Sequence, residues 1–417
     1  MSEQIKFHKK EPQFRGKPLV RMHVMLKPTG PVCNLDCTYC YYLSKETLLE
    51  TDSRWRMSEE TLENFIRQYI EQQNTKDIVF SWQGGEPTLL GLDFFKKVVT
   101  LQKKYAPPYV SCENDLQTNG TFLDDEWCKF LREHNFLVGL SIDGPPYLHN
   151  HYRKFKNGTG SFDKVFRAAK LLNKHNVRFA TLTVVNDVNA QYPIEIYRFL
   201  RDEVNSKQMQ FIPIVEPKTF HATAPQRWNF HEMPVEDSPQ VSPRHPESFV
   251  KEWCVSPESY GNFLISVFDE WYNHDIGLIY VPFFESAIAQ WMGMPSTLCI
   301  FSPICGKGLA LEHDGTIYAC DHYVYPEYIL GNINETKLSS MALSKKQEMF
   351  GYGKDIKLPE KCRQCKYLFA CSGECPKNRF LRTSNGESGL NYLCKGLFNY
   401  FNHIDPYIKN IVNALKT

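Results

Sequence analysis

Cys33, Cys37 and Cys40 stand in Cys-Asn-Leu-Asp-Cys-Thr-Tyr-Cys, just after an apolar run. A [4Fe-4S] cube normally takes four thiolates. A set of three leaves one iron with an open position, where a small molecule can be ligated and reduced. The competing reading is part of a tetrahedral zinc site, but zinc pairs are usually Cys-x2-Cys with a second pair at similar spacing, and none lies nearby. Eight more cysteines, Cys299, Cys305, Cys320, Cys362, Cys365, Cys371, Cys375 and Cys394, fall in the last third of the chain. They make two sets of four. Two fully ligated clusters or two four-cysteine zinc sites would each use them all, and spacing does not separate these. Cys112, Cys128 and Cys254 are left over, and two of these fall in an expected strand and helix, where buried structural thiols are the better reading.

Something must hold the first three cysteines in place. Between residues 20 and 216, short β-rich runs alternate with amphipathic stretches, the pattern of repeated βα units and a parallel sheet. The runs are Val20 to Leu26, Ile78 to Trp82, Val110 to Leu116, Leu137 to Ile142, Arg178 to Val185 and Met209 to Val215. Ser58, Asp124 and Ser161, each followed by acidic residues, read as helix starts. Six units make an incomplete barrel. In parallel barrels chemistry gathers at the C-terminal ends of the strands, and there lie the cysteine loop, Gln83-Gly-Gly-Glu-Pro87, Gln117-Thr-Asn-Gly120 and Ser141-Ile-Asp-Gly-Pro145.

Beyond Glu216 the pattern breaks into a proline-rich stretch reaching about Pro257, with His221, His231 and His245 too irregularly spaced to argue for a metal site. It reads as a solvated insertion. A helix over Tyr260 to His274 follows, then two short strands joined at Asp314-Gly315 that deliver Cys320, and a helical tail over Leu397 to Leu415 with a break near Pro406. The expected organisation is a barrel over 1–255 including the loop at 216–255, a helical linker over 256–296, and a cysteine-rich domain over 297–417.

The 417 residues exceed one ordinary core. Lys+Arg 48 against Asp+Glu 47, with no long basic run, disfavours nucleic acid and anionic membrane as main partners. The N-terminus lacks the apolar region of a signal peptide and no stretch suits a membrane span, so a cytoplasmic protein is expected. Fourteen cysteines in that reducing compartment call for metal rather than disulfides.

The Cys-x3-Cys-x2-Cys loop after the first strand, with Tyr39 before its third cysteine, resembles the radical S-adenosylmethionine (SAM) enzymes. Residues 299 to 394, with the Asp-Gly hairpin, Gly331-Asn-Ile333 and Cys362-x2-Cys365-x5-Cys371-x3-Cys375, look like the SPASM domain appended to many of them. Together, from about Val20 to Cys394, the chain resembles the anaerobic sulfatase-maturating enzymes, and the most specific element is Cys320-Asp321. The resemblance implies a partial (β/α)6 barrel with a SPASM domain and three [4Fe-4S] clusters. The first is held by Cys33, Cys37 and Cys40, an auxiliary one by Cys299, Cys305, Cys320 and Cys375, and a second auxiliary by Cys362, Cys365, Cys371 and Cys394. It implies SAM contacts at Tyr39, Gly85, Ser141, Arg153 and Val215, substrate contacts at Tyr42 and Gln83, and Asp321 as general base.

The implied reaction oxidises a cysteine or serine of an unfolded sulfatase chain to Cα-formylglycine, with SAM cleaved to 5′-deoxyadenosine and methionine and a flavodoxin or ferredoxin as electron donor. The rival within enzymes is another peptide modification, such as thioether or carbon-carbon crosslinking. The aspartate after Cys320, and the short stretch of about 20 residues before the first strand, favour the former. Outside enzymes, the cysteines could stabilise a binding scaffold, which metal content and SAM cleavage would decide.

Overall fold

The alternation read from the sequence is what the chain forms. The computed structural model describes residues 21–49, 55–220 and 224–416. Six strands, β1 (His23–Lys27), β2 (Asp77–Trp82), β3 (Ser111–Thr118), β4 (Leu137–Ser141), β5 (Arg178–Val185) and β6 (Met209–Pro213), pair in parallel with their sequence neighbours. Their crossovers carry α1 (Glu59–Glu71), α2 (Leu92–Tyr105), α3 (Asp125–Glu133), α4 (Pro146–Tyr152), α5 (Phe162–Lys174) and α6 (Pro193–Arg198). The amphipathic spacing decides which helix face is buried. On α1, Leu62, Phe65, Ile66 and Tyr69 line up and are buried, with Phe65 and Tyr69 against Phe80 of β2. Val20 lies outside the described residues, and β6 stops two residues short of Val215.

Two of the three expected helix caps form. Ser58 and Asp124 accept from the backbone N–H groups of Thr61 and Trp127 at 3.0 and 2.9 Å. Ser161 does not cap α5. Its hydroxyl donates to the Arg153 carbonyl at 2.9 Å, and Asn150 caps in its place, accepting from Phe162 N at 2.9 Å.

The sheet does not end at six strands. The hairpin is present as β7 (Gly308–Glu312) and β8 (Thr316–Tyr318), and β7 pairs in parallel with β1 from His23↔Gly308 to Lys27↔Glu312. With β9 (Ile329–Asn332) the result is one nine-stranded sheet in the order β6-β5-β4-β3-β2-β1-β7-β8-β9. The cysteine-rich third is thus hydrogen-bonded to the strand that carries the first cysteine loop.

Helices α7 (Pro257–His274) and α8 (Pro282–Trp291) lead into that third, and the C-terminal helix Cys394–Lys416 packs on both. It crosses α7 closely: a Cβ at Gly261 would lie 2.7 Å from the Gly396 Cα. Contrary to expectation this helix is unbroken at Pro406. A proline forfeits one backbone hydrogen bond, but Tyr407 beside it packs on Phe268 and Tyr272 of α7, and that burial carries the helix through.

The proline-rich stretch is not a solvated insertion. Its ends are drawn together at Pro217↔Val250, and Trp228 and Phe249 pack on Phe380 with ring centroids 5.6 and 5.2 Å apart. Arg382 donates from Nε to the Met233 carbonyl at 2.9 Å, and its backbone pairs with Pro234 and Glu236. Apolar side chains spaced through the stretch, Phe220, Val250 and Trp253 among them, supply the burial. Prolines with fixed φ lower the entropy lost on ordering it. His221 lies outside the described residues.

Candidate active site

At the C-terminal ends of the strands the loops enclose a cavity of about 150 Å³. Cys33, Cys37, Cys40, Tyr39, Tyr42, Gln83, Gly85, Ser141 and Arg153 all line it, drawn from the connections after β1, β2 and β4 and the strand ends beside them. Val215 is buried outside the lining, and its neighbour Ile214 takes that wall.

The loops after β1, β2 and β3 are locked together by Glu86. Its carboxylate accepts from Thr88 N (3.1 Å), Thr118 Oγ1 (2.6 Å) and Asn119 N (2.7 Å). Gly85 N donates to the Gly30 carbonyl at 2.8 Å, and a Cβ at Gly85 would be driven into the Val32 carbonyl. Only glycine lets the cysteine loop lie this close to the second loop. Gly85→Ala is therefore expected to cost about 1–3 kcal/mol by overpacking backbone. Thermal unfolding of the metal-free chain checks this, and an unchanged melting temperature would show that the loop yields.

On the far wall, Arg153 Nε lies 2.9 Å from Asp143 Oδ2, which also takes the Tyr39 hydroxyl. The other oxygen of Asp143 accepts from Val184 N at 3.0 Å. His149 joins the Asp143 backbone to Ser161, and Ser161 holds the Arg153 carbonyl. Both ends of Arg153 are thereby fixed, with the guanidinium at the cavity. A planar fork so placed suits a carboxylate.

Asp321 is not itself in the cavity lining, but the β1–β7 pairing brings it against two residues that are, Lys27 and Tyr41. Lys27, the last residue of β1 and 1% exposed, places Nζ 2.5 Å from Asp321 Oδ1, and the Tyr41 hydroxyl donates to Oδ2 at 2.8 Å. Burial by itself would raise the Asp321 carboxyl. Lys27, then His322 and the Tyr41 hydroxyl, outweigh it and hold the group below its ordinary range. Lys27 also lies 4.4 Å from the centroid of the Tyr42 ring, whose hydroxyl donates to the buried Glu312 of β7. The cations and carboxylates that orient these groups, Lys27, Asp143, Glu86 and Glu312, were not singled out by sequence reasoning. A charged residue ending an apolar strand was the available signal for Lys27, and Asp143 lay in a motif without an assigned role.

Among the described residues no three or more His, Cys, Asp or Glu side chains are set to hold a metal ion, and the eight cysteines of the last third fall in two neighbourhoods. Cys362, Cys365, Cys371 and Cys394 line one cavity of about 900 Å³. Burial raises the Cys320 and Cys375 thiols, and close neighbours raise them further: Cys375 and Cys305 around Cys320, and Glu374, Cys305 and Cys299 around Cys375. Those four thiols are thus neighbours. Of the remaining thiols, Cys128 and Cys254 are buried and Cys112 is half-buried.

A parallel partial barrel with a three-cysteine loop after its first strand, joined to a cysteine-rich domain, defines a radical SAM enzyme with an iron–sulfur extension. The Radical SAM superfamily profile matches residues 28–200, and that of an iron–sulfur cluster-binding domain, SPASM, matches 303–366. The chain is 46% identical over 393 residues to a serine-type anaerobic sulfatase-maturating enzyme of Bacteroides thetaiotaomicron, covering 94% of this chain and 91% of the relative. It is 32% identical to a cysteine-type enzyme of Clostridium perfringens, covering 95% and 99%. A solved structure described as native anSMEcpe with bound AdoMet and Cp18Cys peptide superposes with a TM-score of 0.80 at 31% identity, covering 95% of this chain and 100% of that one. The chain belongs to the anaerobic sulfatase-maturating enzymes. It binds SAM and iron–sulfur clusters accordingly. Among the described residues no helix is long and apolar enough to cross a membrane.

Proposed function

We propose that this chain oxidises a serine or cysteine of an unfolded sulfatase to Cα-formylglycine in the cytoplasm, and that serine is accepted. The observation that carries the reading is Asp321, directly after Cys320, held by Lys27 and Tyr41, both of which line the cavity. The serine-type relative at 46% identity supports the choice of residue.

When bound, the cluster and SAM together supply a 5′-deoxyadenosyl radical, which takes a hydrogen atom from Cβ of the target residue. The rest falls to this chain. Cys33, Cys37 and Cys40 would hold the cluster, beside the cavity that they line. Tyr39, Gly85, Ser141 and Arg153 would bind SAM, with Arg153 on the carboxylate; Val215 lies outside the lining and Ile214 takes its place in the wall. Tyr42 and Gln83 face the peptide. Asp321 takes the hydroxyl or thiol proton, and the remaining electron leaves toward the auxiliary sites, one of Cys299, Cys305, Cys320 and Cys375, the other of Cys362, Cys365, Cys371 and Cys394. A serine then loses two hydrogens in all and becomes an aldehyde, and a cysteine becomes a thioaldehyde that water hydrolyses. A flavodoxin or ferredoxin supplies the electron that starts the cycle. The barrel at 1–255 would hold SAM, 256–296 would link, and 297–417 would carry the auxiliary clusters.

Mass spectrometry of peptides containing Ser-x-Pro-x-Arg or Cys-x-Pro-x-Arg, incubated anaerobically with reconstituted protein, SAM and a strong reductant, tests this. The expected products are about 2 Da lighter for Ser and about 18 Da lighter for Cys, alongside 5′-deoxyadenosine. 5′-Deoxyadenosine with unchanged peptides would leave the radical chemistry standing and remove sulfatase peptides as substrate.

A further inference from the structure

Two buried cations lie between the two cysteine groups, and neither forms an ion pair among the described residues. Lys354, 1% exposed on the helix Lys345–Ile356, donates from Nζ to the carbonyls of Cys299 at 2.9 Å and Ile300 at 2.7 Å. Arg379, 7% exposed, donates to the carbonyls of Gly373 (2.8 Å), Ser372 (2.7 Å) and Glu374 (3.1 Å), and from Nη1 to the carbonyl of Lys354 itself. All these acceptors are neutral. The buried carboxylate nearby, Glu374, is occupied by Asn378 at 3.1 Å and Asn391 at 2.6 Å.

A buried cation held by carbonyls alone is costly, and folds keep one where an anion compensates it. Glu374 is one buried carboxylate beside them, and the other anions the sites can supply are thiolates: Lys354 is bonded to the backbone of Cys299, and Arg379 to the backbone of residues 372–374, between Cys371 and Cys375. A cluster held by four thiolates is a net anion and becomes more negative on reduction, so a fixed positive charge beside it favours the reduced form.

We propose that Lys354 is the built-in counter-charge of the site formed by Cys299, Cys305, Cys320 and Cys375, raising its reduction potential so that it accepts the electron released from the target residue. Arg379 extends the same positive layer toward the second group. Lys354 touches no reacting atom; it acts through the site it compensates. The inference rests on the auxiliary-cluster reading above.

The test uses the full-length chain with Cys33, Cys37 and Cys40 replaced by Ala, so that only auxiliary clusters contribute, and reads metal content and potentiometric titration followed by electron paramagnetic resonance. Zinc in place of iron in this parent would overturn the cluster reading and this inference with it. With iron present, Lys354→Gln, which keeps a donor for the carbonyls, is expected to make reduction of one cluster at least tenfold less favourable. That is a shift of about 59 mV to lower potential for a one-electron couple. Lys354→Arg is expected to restore it. An unchanged potential at full iron content would overturn the proposal. If Lys354→Gln loses iron and Lys354→Arg keeps it, the charge itself is what the site requires, which supports the proposal; loss in both would assign Lys354 to shape alone and overturn it.

Discussion

Asp321→Asn is expected to keep its iron and still cleave SAM to 5′-deoxyadenosine, while formylglycine falls by about 10² to 10⁴-fold, the usual contribution of a positioned general base. The two oxygens of Asp321 are already engaged, one by Lys27 at 2.5 Å and one by Tyr41 at 2.8 Å. These contacts hold it ionised without filling it, because a carboxylate has lone pairs to spare for an incoming hydroxyl. An asparagine of the same shape still accepts from Tyr41 but takes up no proton. It also strands the Lys27 ammonium in a buried site, a loss of about 3–5 kcal/mol when one partner of a buried pair is removed. Iron, 5′-deoxyadenosine and peptide product are therefore measured in one sample. Wild-type product yield with intact iron would remove Asp321 from the base role.

Replacing Cys33, Cys37 and Cys40 together by Ala is expected to abolish SAM cleavage and leave about eight irons per chain, four in each of two cubes. The fold should survive. The loop they sit on is held by contacts that need no thiol: Leu35 bridges to Phe155, Asp36 N donates to the Lys154 carbonyl at 2.8 Å, and Asn34 Nδ2 donates to Thr121 Oγ1 at 2.9 Å. The other eight cysteines lie at 299–394, outside this loop. Iron near zero in this variant would defeat the assignment of two auxiliary clusters, and residual 5′-deoxyadenosine would place SAM cleavage elsewhere.

What could be read in advance follows from how each feature is encoded. Parallel strands buried on both faces are short apolar runs, so β2, β4 and β5 were legible almost to the residue. In β3, polar Asn114 is buried against Trp82 and Gln102, and the strand runs on to Thr118 past the expected end at Leu116. The cysteine groupings and Asp321 came from resemblance, since spacing alone leaves zinc and iron–sulfur equally open. The pairing of β1 with β7 was not legible. Periodicity reports what each segment buries, not which distant segment lies beside it, and every contact through Lys27 and Glu312 depends on that pairing. The proline-rich stretch misled for a related reason: its composition is that of a loop, while its anchors, Phe380, Arg382 and Tyr392, lie far along the chain.

The place of β1 in the sheet also sets an order of events for the nascent chain. One edge of β1 is satisfied early, by β2, but the other waits for β7, which is synthesised only in the last third. Until then a row of backbone donors and acceptors beside the first cysteine loop stays open, an invitation to mispairing, and contacts so distant in sequence form slowly. A chain cut before Gly308 would bare that edge for good. The strand that presents the first cysteine loop is thus completed only by the segment that brings Asp321, the proposed proton acceptor, so that the edge closes and the two are brought together in one event.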